Sequence, residues 1–231
     1  MEPLELNTPV GVASYPHITK SDTYQGKEQY KCNLLLDPSK PDVAKFIDDV
    51  NNYVTEAKEE ASAAYKEELA GLDADSKNPK TVKRVKTLLK AIEEIDEEYR
   101  HPIDEEFDRD TDEPTGRVLI RAKSNASFIN KKTKETIKLS PKLYDATGHS
   151  ITGPRPEIRG GSKLALGIKL MPYSANFGSG VSVRLNAVQI VSLAHGGEST
   201  GGPAFGAVEG GYVAPKPAFN AAVSDDSDME Y

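Results

Sequence analysis

Apolar and polar residues alternate along YKCNLLL, placing Tyr30, Cys32, Leu34 and Leu36 on one face and Lys31 on the other. A period of two predicts a strand with one side on a core, and Gln25-Gly26 supplies a turn before it. From Pro41 to about Leu69 the period changes. Val43, Phe46, Ile47, Val50, Val54, Ala57, Ala61, Ala64 and Leu69 recur at spacings of three and four. That pattern predicts an amphipathic helix, with Ser39 as its cap and Gly71 just past its end. A second helix runs from Pro79 through Val82, Val85, Leu88, Leu89, Ile92, Ile95 and Tyr99, and Pro102 stops it. After the acidic run IDEEFDRDTDE, period two returns in RVLIRAKSNASF, TIKLSPKLY, SKLALGIKLMPY and VSVRLNAVQIVSL. Turns separate these segments at 130–132, 145–148, 160–161 and 178–180.

Short strands, glycine-rich turns and no strand–helix–strand alternation predict a mainly β fold of five or six strands. The expected architecture is a small closed or partly open barrel over residues 1–195, with a helical hairpin inserted at 39–112. Charge orders the hairpin antiparallel. The basic start of its second helix, with Lys80, Lys83, Arg84 and Lys86, would lie beside Glu59, Glu60, Glu67 and Glu68 of the first. Its acidic end, from Glu93 to Glu98, would then face Asp42, Asp48 and Asp49. Because the hairpin is self-complementary and carries net acid, deleting 40–112 is expected to leave a folded barrel. Residues 196–231, rich in Gly, Ala and Pro, cannot bury a core and read as a flexible linker with an acidic end.

The net charge of −7 hides a segregation. Residues 1–112 carry −11, residues 113–195 carry +9, and residues 196–231 carry −5. A basic block between acidic ones implies a polyanion site together with a segment that imitates a polyanion. The imitation is SDDSDMEY, in which Asp225, Asp226, Asp228 and Glu230 are followed by the ring of Tyr231.

The basic block has a face. In RVLIRAKSNASF, Val118, Ile120 and Ala122 point inward, while Arg117, Leu119, Arg121, Lys123 and Asn125 point outward. In SKLALGIKLMPY, Leu164, Leu166, Ile168 and Leu170 point inward, and Lys163, Lys169 and Tyr173 outward. Arg184 is the outward cation of VSVRLN, and the hairpin INKKTKETIK adds Lys131, Lys132, Lys134 and Lys138. Phe128, Tyr144, Tyr173 and Phe177 stand near the strand ends. Cations that track phosphates, with rings on which bases stack, are what single-stranded nucleic acid requires. Both helices carry net acid on their faces, so neither suits the major groove of a duplex, and the hairpin is expected to be dispensable for DNA binding.

Other chemistry finds little support. His17, His101, His149 and His195 have no ligand spacing, no nucleophile–base pair is visible, and GGSK has its Ser and Lys in the wrong order for a phosphate loop. Neither a metal, a cofactor nor an enzymatic activity is expected. Cys32 is the sole cysteine and reads as a small buried apolar residue. No apolar run reaches membrane-spanning length, so a cytoplasmic protein with no membrane partner is expected.

NASFINKKTKETIKL, RGGSKLALGIKLMPY and VSVRLNAVQIVSLA, followed by an acidic tail ending on an aromatic, resemble the single-stranded DNA-binding proteins of T7-like phages. The similarity is good over 115–195 and faint over 1–37. It implies an OB-fold, a five-stranded barrel that coats single-stranded DNA in phage replication, recombination and repair in the infected host cell. It also implies a tail that contacts phage polymerase and helicase/primase and competes with DNA for the groove. By the resemblance, Arg121 and Lys123 match basic groove positions and Tyr173 matches a ring beside them. The chain departs from the family at Asn125 and Ala175, where the family carries aromatics, with Phe177 close to the second. Its helical insertion is longer, and its tail is less acidic and ends on Tyr. Oligomeric state is left open, a homodimer included. The competing reading is a protein-interaction adaptor that binds through the helical hairpin on an OB scaffold.

Overall fold

A computed structural model, which describes residues 1–72, 78–130, 132–175 and 178–194, builds the period-two segments into strands on either side of two helices. The first three are β1 (Leu4–Asn7), β2 (Gly11–Tyr24) and β3 (Lys27–Leu36). The helices α1 (Pro41–Ala70) and α2 (Pro79–Glu98) follow, then β4 (Ile103–Phe107) and β5 (Pro114–Asn125). A small hairpin, β6 (Ser127–Ile129) with β7 (Thr136–Lys138), precedes β8 (Lys142–Tyr144), β9 (Lys163–Ala175) and β10 (Gly178–Ser192). The tail residues from Asp225 to Tyr231, and the site candidates Lys131 and Phe177, lie outside the described residues.

Five strands close a barrel in the cyclic order β2–β3–β5–β10–β9. All neighbours are antiparallel except β5 and β10, which run parallel where Arg184 stands opposite Lys123. The fold is therefore mainly β, an OB-like five-stranded barrel with two helices. β1 extends the sheet beside β9, β8 beside β10, and β4 beside β5. Closure depends on close approach at one corner. A Cβ on Gly11 would stand 2.5 Å from the Leu35 carbonyl oxygen, so only glycine lets β2 pass from β9 to β3 there. The Gln25-Gly26 turn has positive φ at both residues, the geometry that matches the twist of a two-residue hairpin.

Period two fills the interior as the alternation predicts. Cys32, Leu34 and Leu36 of β3 meet Ile120 and Ala122 of β5, Leu164 to Leu170 of β9, and Val181, Val183 and Leu185 of β10. Burial pushes the Cys32 thiol up to about 12, which leaves it unreactive in the folded chain.

Three expectations about the hairpin change. First, Ser39 does not cap α1. Its N–H and hydroxyl both donate to the Asp37 carboxylate, at 3.0 and 2.6 Å, and Lys40 takes the cap position before Pro41. Second, Arg84 of α2 does grip Glu68 of α1 with two bonds of 2.6 Å, but the acidic end of α2 stops at Lys58. Lys58 donates to the Asp96 carbonyl at 2.7 Å, and α2, ten residues shorter than α1, never reaches Asp42. Third, the segment 39–112 does not pack only against itself. Val43, Phe46, Val50, Tyr53, Val54 and Ala57 of α1 belong to the same core cluster as the barrel strands. The Tyr53 hydroxyl bonds the Glu2 carbonyl at 2.9 Å, and IDEEF, read from its carboxylates as a charged run, is the strand β4 paired with β5.

Past α2 the chain is fastened to the barrel. The Arg100 N–H donates to the Ser179 carbonyl and the Val181 N–H to the Arg100 carbonyl, each at 3.0 Å. A Cβ on Gly180 would sit 2.6 Å from the Arg100 Cβ, so this contact requires glycine.

Candidate nucleic-acid interface

Register, rather than composition, assembles the site. Along the outer face of the barrel Lys31 of β3 pairs with Lys123 of β5, Lys123 with Arg184 of β10, and Arg184 with Lys169 of β9. Four cations thus stand in one rank across four neighbouring strands, spanning about 14 Å at the usual inter-strand spacing. Like charges directly opposite one another destabilise a sheet. A face built only for stability would alternate its signs here.

The ends of the rank are neutralised and its centre is not. Lys31 is ion-paired with Asp22 of β2, and that ammonium holds the Asp22 carboxyl below the usual carboxylate range. Lys169 bonds Glu5 of β1 at 3.0 Å. Lys123 and Arg184, both exposed, have no ion-pair partner among the described residues.

Around these two free cations the surface is concave. A groove of about 460 Å³ runs between Lys123 and Arg184, lined by Met171, Leu139 and Ser182 and flanked by Phe128. A second groove of about 420 Å³ shares Arg184, Asn125, Ser124 and Leu139 with the first and continues to Lys142 and Tyr144 of β8. The trough is apolar at its base, cationic along its wall, and carries a ring near each end. Phe128, 46% exposed, stands opposite Ile137 across the β6–β7 hairpin. That hairpin is anchored where the Ala126 N–H donates to the Glu28 carbonyl and the Leu139 N–H to the Ala126 carbonyl. It presents Lys132, Lys134 and Lys138 from a tip held by the Asn130 side chain, which accepts from the Lys132 N–H at 2.9 Å.

Other candidates sit apart. Arg121 points outward but is ion-paired with Asp104 of β4, in a depression also lined by Glu105, Glu106 and Asp108. Lys163 lies at the opposite end of β9, paired with Val12 and Ser192, about 20 Å from Lys169 along the strand. Tyr173 is half-buried toward Tyr99, whose phenol is pushed up by burial, with the Tyr53 and Tyr173 phenols adding to the effect. Sequence reading missed Met171 and Leu139 in the groove floor. Met171 had a signal: it is an apolar residue at an outward position of a strand whose other outward residues include Lys169 and Tyr173. Glu5 had none, because it meets Lys169 from 164 residues away. Among the described residues, no group of three or more His, Cys, Asp or Glu side chains is placed to hold a metal ion, and no helix is long and apolar enough to cross a membrane.

A closed five-stranded barrel with a cationic, partly apolar trough on its outer wall defines an OB-type protein. The family described as single-stranded DNA-binding protein, bacteriophage T7, matches residues 7–193. The chain is 31% identical over 226 residues to the single-stranded DNA-binding protein of Escherichia phage T7, covering 94% of this chain and 87% of that one. It is 32% identical over 211 residues to that of Enterobacteria phage T3, with 87% and 81% covered. The chain therefore belongs to the T7 single-stranded DNA-binding protein family.

The fold agrees. The crystal structure of the T7 protein covers 86% of this chain and 97% of its own at a TM-score of 0.60 and 24% identity. A structure of the phage Enc34 single-stranded DNA-binding protein with single-stranded DNA gives 0.52 at 14% identity, covering 83% and 88%.

Proposed function

We propose that this chain is a non-enzymatic phage protein that binds single-stranded DNA in the trough of Lys123 and Arg184, without reading sequence. The observation that carries the reading is the in-register rank of four cations beside an apolar floor and the Phe128 ring. Phosphates would follow the cations while bases lie on the apolar side, and every base has a face that stacks. A rigid duplex offers no such splayed bases. Titration of intrinsic tyrosine fluorescence with single-stranded and blunt duplex oligonucleotides tests this. Single strands should bind tighter, with little dependence on sequence and a steep loss of affinity as salt rises. Equal affinity for duplex, or binding indifferent to salt, would sink the proposal.

The role extends to replication, recombination and repair in the infected cell, with 1–195 as the DNA-binding domain and 196–231 as a linker and regulatory tail. Carboxylates capped by Tyr231 imitate phosphates and a base, so the tail suits both its own groove and a cationic pocket on polymerase or helicase/primase. Deleting 224–231 should tighten DNA binding, most visibly at low salt where the tail's attraction is least screened. The same deletion should abolish capture by the polymerase, and Tyr231→Ala should release the tail partly. A truncated chain that binds DNA no better at low salt, and still binds polymerase, leaves the tail without this role.

A further inference from the structure

Cations in the rank are not equivalent, and the difference lies in two carboxylates from elements outside the β3–β5–β10 wall. Asp22, on the far stretch of β2, turns back onto Lys31. Glu5, on the short added strand β1, stands in register with Lys169 and lines the second groove together with Arg184. Each ion pair is partly open to water: the side-chain exposures are 40% and 30% for Lys31 and Asp22, and 31% and 68% for Lys169 and Glu5. Pairs this exposed contribute little to folding, so stability gives weak grounds for placing an acid in the cationic trough. The rank itself gives better ones. Without a strand bound, four adjacent cations repel, and a carboxylate at each end relieves that repulsion in the place where a phosphate would.

Resting on the reading of the trough as a single-strand site, we propose that Glu5 and Asp22 are built-in phosphate surrogates that set how much of the rank an incoming strand engages. Lys123 and Arg184 are the open entry positions. Lys31 and Lys169 are reserve positions, available only when a phosphate displaces the carboxylate that holds each of them. The surrogates hold affinity below what four free cations would give, which keeps a coating protein removable. They also make the footprint depend on competition between phosphate and carboxylate rather than on cation count.

The test measures affinity for a single-stranded oligonucleotide across a salt series for Glu5→Gln, Asp22→Asn and the double variant of the full chain. Glu97→Gln, an exposed carboxylate on α2, is the control for net charge. Each phosphate gained on a single strand adds about 0.7 to the salt slope, which at about 0.1 M salt is a factor of about five in affinity. Glu5→Gln and Asp22→Asn should each steepen the slope by up to that amount and tighten binding by up to about fivefold, the double more than either, while Glu97→Gln changes the slope little. Unchanged slopes in both variants overturn the inference, as does an equal gain from Glu97→Gln. The Lys123→Ala/Arg184→Ala variant separates the two levels. If it loses binding while the carboxylate variants behave as the parent, the trough stands and the surrogates fall. If it binds as the parent does, the trough itself is wrong and the surrogates fall with it.

Discussion

Replacing Lys123 and Arg184 together with alanine is expected to weaken single-stranded DNA binding about 25-fold at about 0.1 M salt and to flatten the salt slope by about 1.4, the loss of two phosphate contacts. These two have no ion-pair partner among the described residues, so no carboxylate of the barrel has to be displaced before they meet a phosphate. The melting temperature should stay level or rise slightly. Exposed cations contribute little to folding, and removing Lys123 relieves the like charge it places opposite Lys31. Arg121→Ala should cost less affinity, because Asp104 already occupies that guanidinium. Phe128→Ala should remove about 1–3 kcal/mol of binding by losing one stacked base. Tyr173→Ala, at a half-buried ring outside the trough, should affect DNA less. Full affinity in the Lys123/Arg184 double variant, measured by fluorescence titration, would place the strand on another surface.

Phe46→Ala is expected to cost about 3–5 kcal/mol of folding stability, read as a fall in the urea midpoint at constant slope. Phe46 is 5% exposed and lies in one core with strand residues of the barrel. The loss is a large fraction of the roughly 5–15 kcal/mol that holds a domain together. By the same reasoning, excising 40–112 and closing the gap with a Gly/Ser linker should leave no cooperatively melting barrel. The excision strips β4 from β5 and uncovers the apolar strand residues that Val43, Phe46, Val50 and Val54 cover. A deletion variant that melts in one sharp transition, at a midpoint close to the parent's, would show that the helices are an accessory after all.

Local order is legible in the residue pattern alone. Period two in YKCNLLL, SKLALGIKLMPY and VSVRLN names the inward residues of β3, β9 and β10, because side chains alternate across a strand whatever its neighbours. Spacings of three and four place both helices, with Pro41 and Pro79 at their first turns, since proline suits a position whose N–H has no helical partner. The outward cations are legible for the same reason. The pattern misleads where a local signal is outvoted. IDEEF looks like a solvated charge run, yet Ile103, opposite Ile120, gives it a place on β5. The hairpin looks self-sufficient because its charges match, but helix α1 spends its apolar stripe on the barrel.

What the chain determined by itself was therefore a set of faces: which residues each strand turns inward, which cations it turns outward, and that the basic block and the acidic ends are separate. Only the tertiary structure decided which of those cations act together. Closure of the barrel, with its tight corner at Gly11 and its parallel β5–β10 contact, sets the register that puts Lys31, Lys123, Arg184 and Lys169 abreast. It also brings Asp104 to Arg121, Asp22 to Lys31, and Glu5 to Lys169. Two of these acids lie within 17 residues of their cations and one lies 164 residues away, yet none is coupled to its cation by any local period. A strand's alternation fixes the direction of a side chain but not its neighbour, and charge depends on the neighbour.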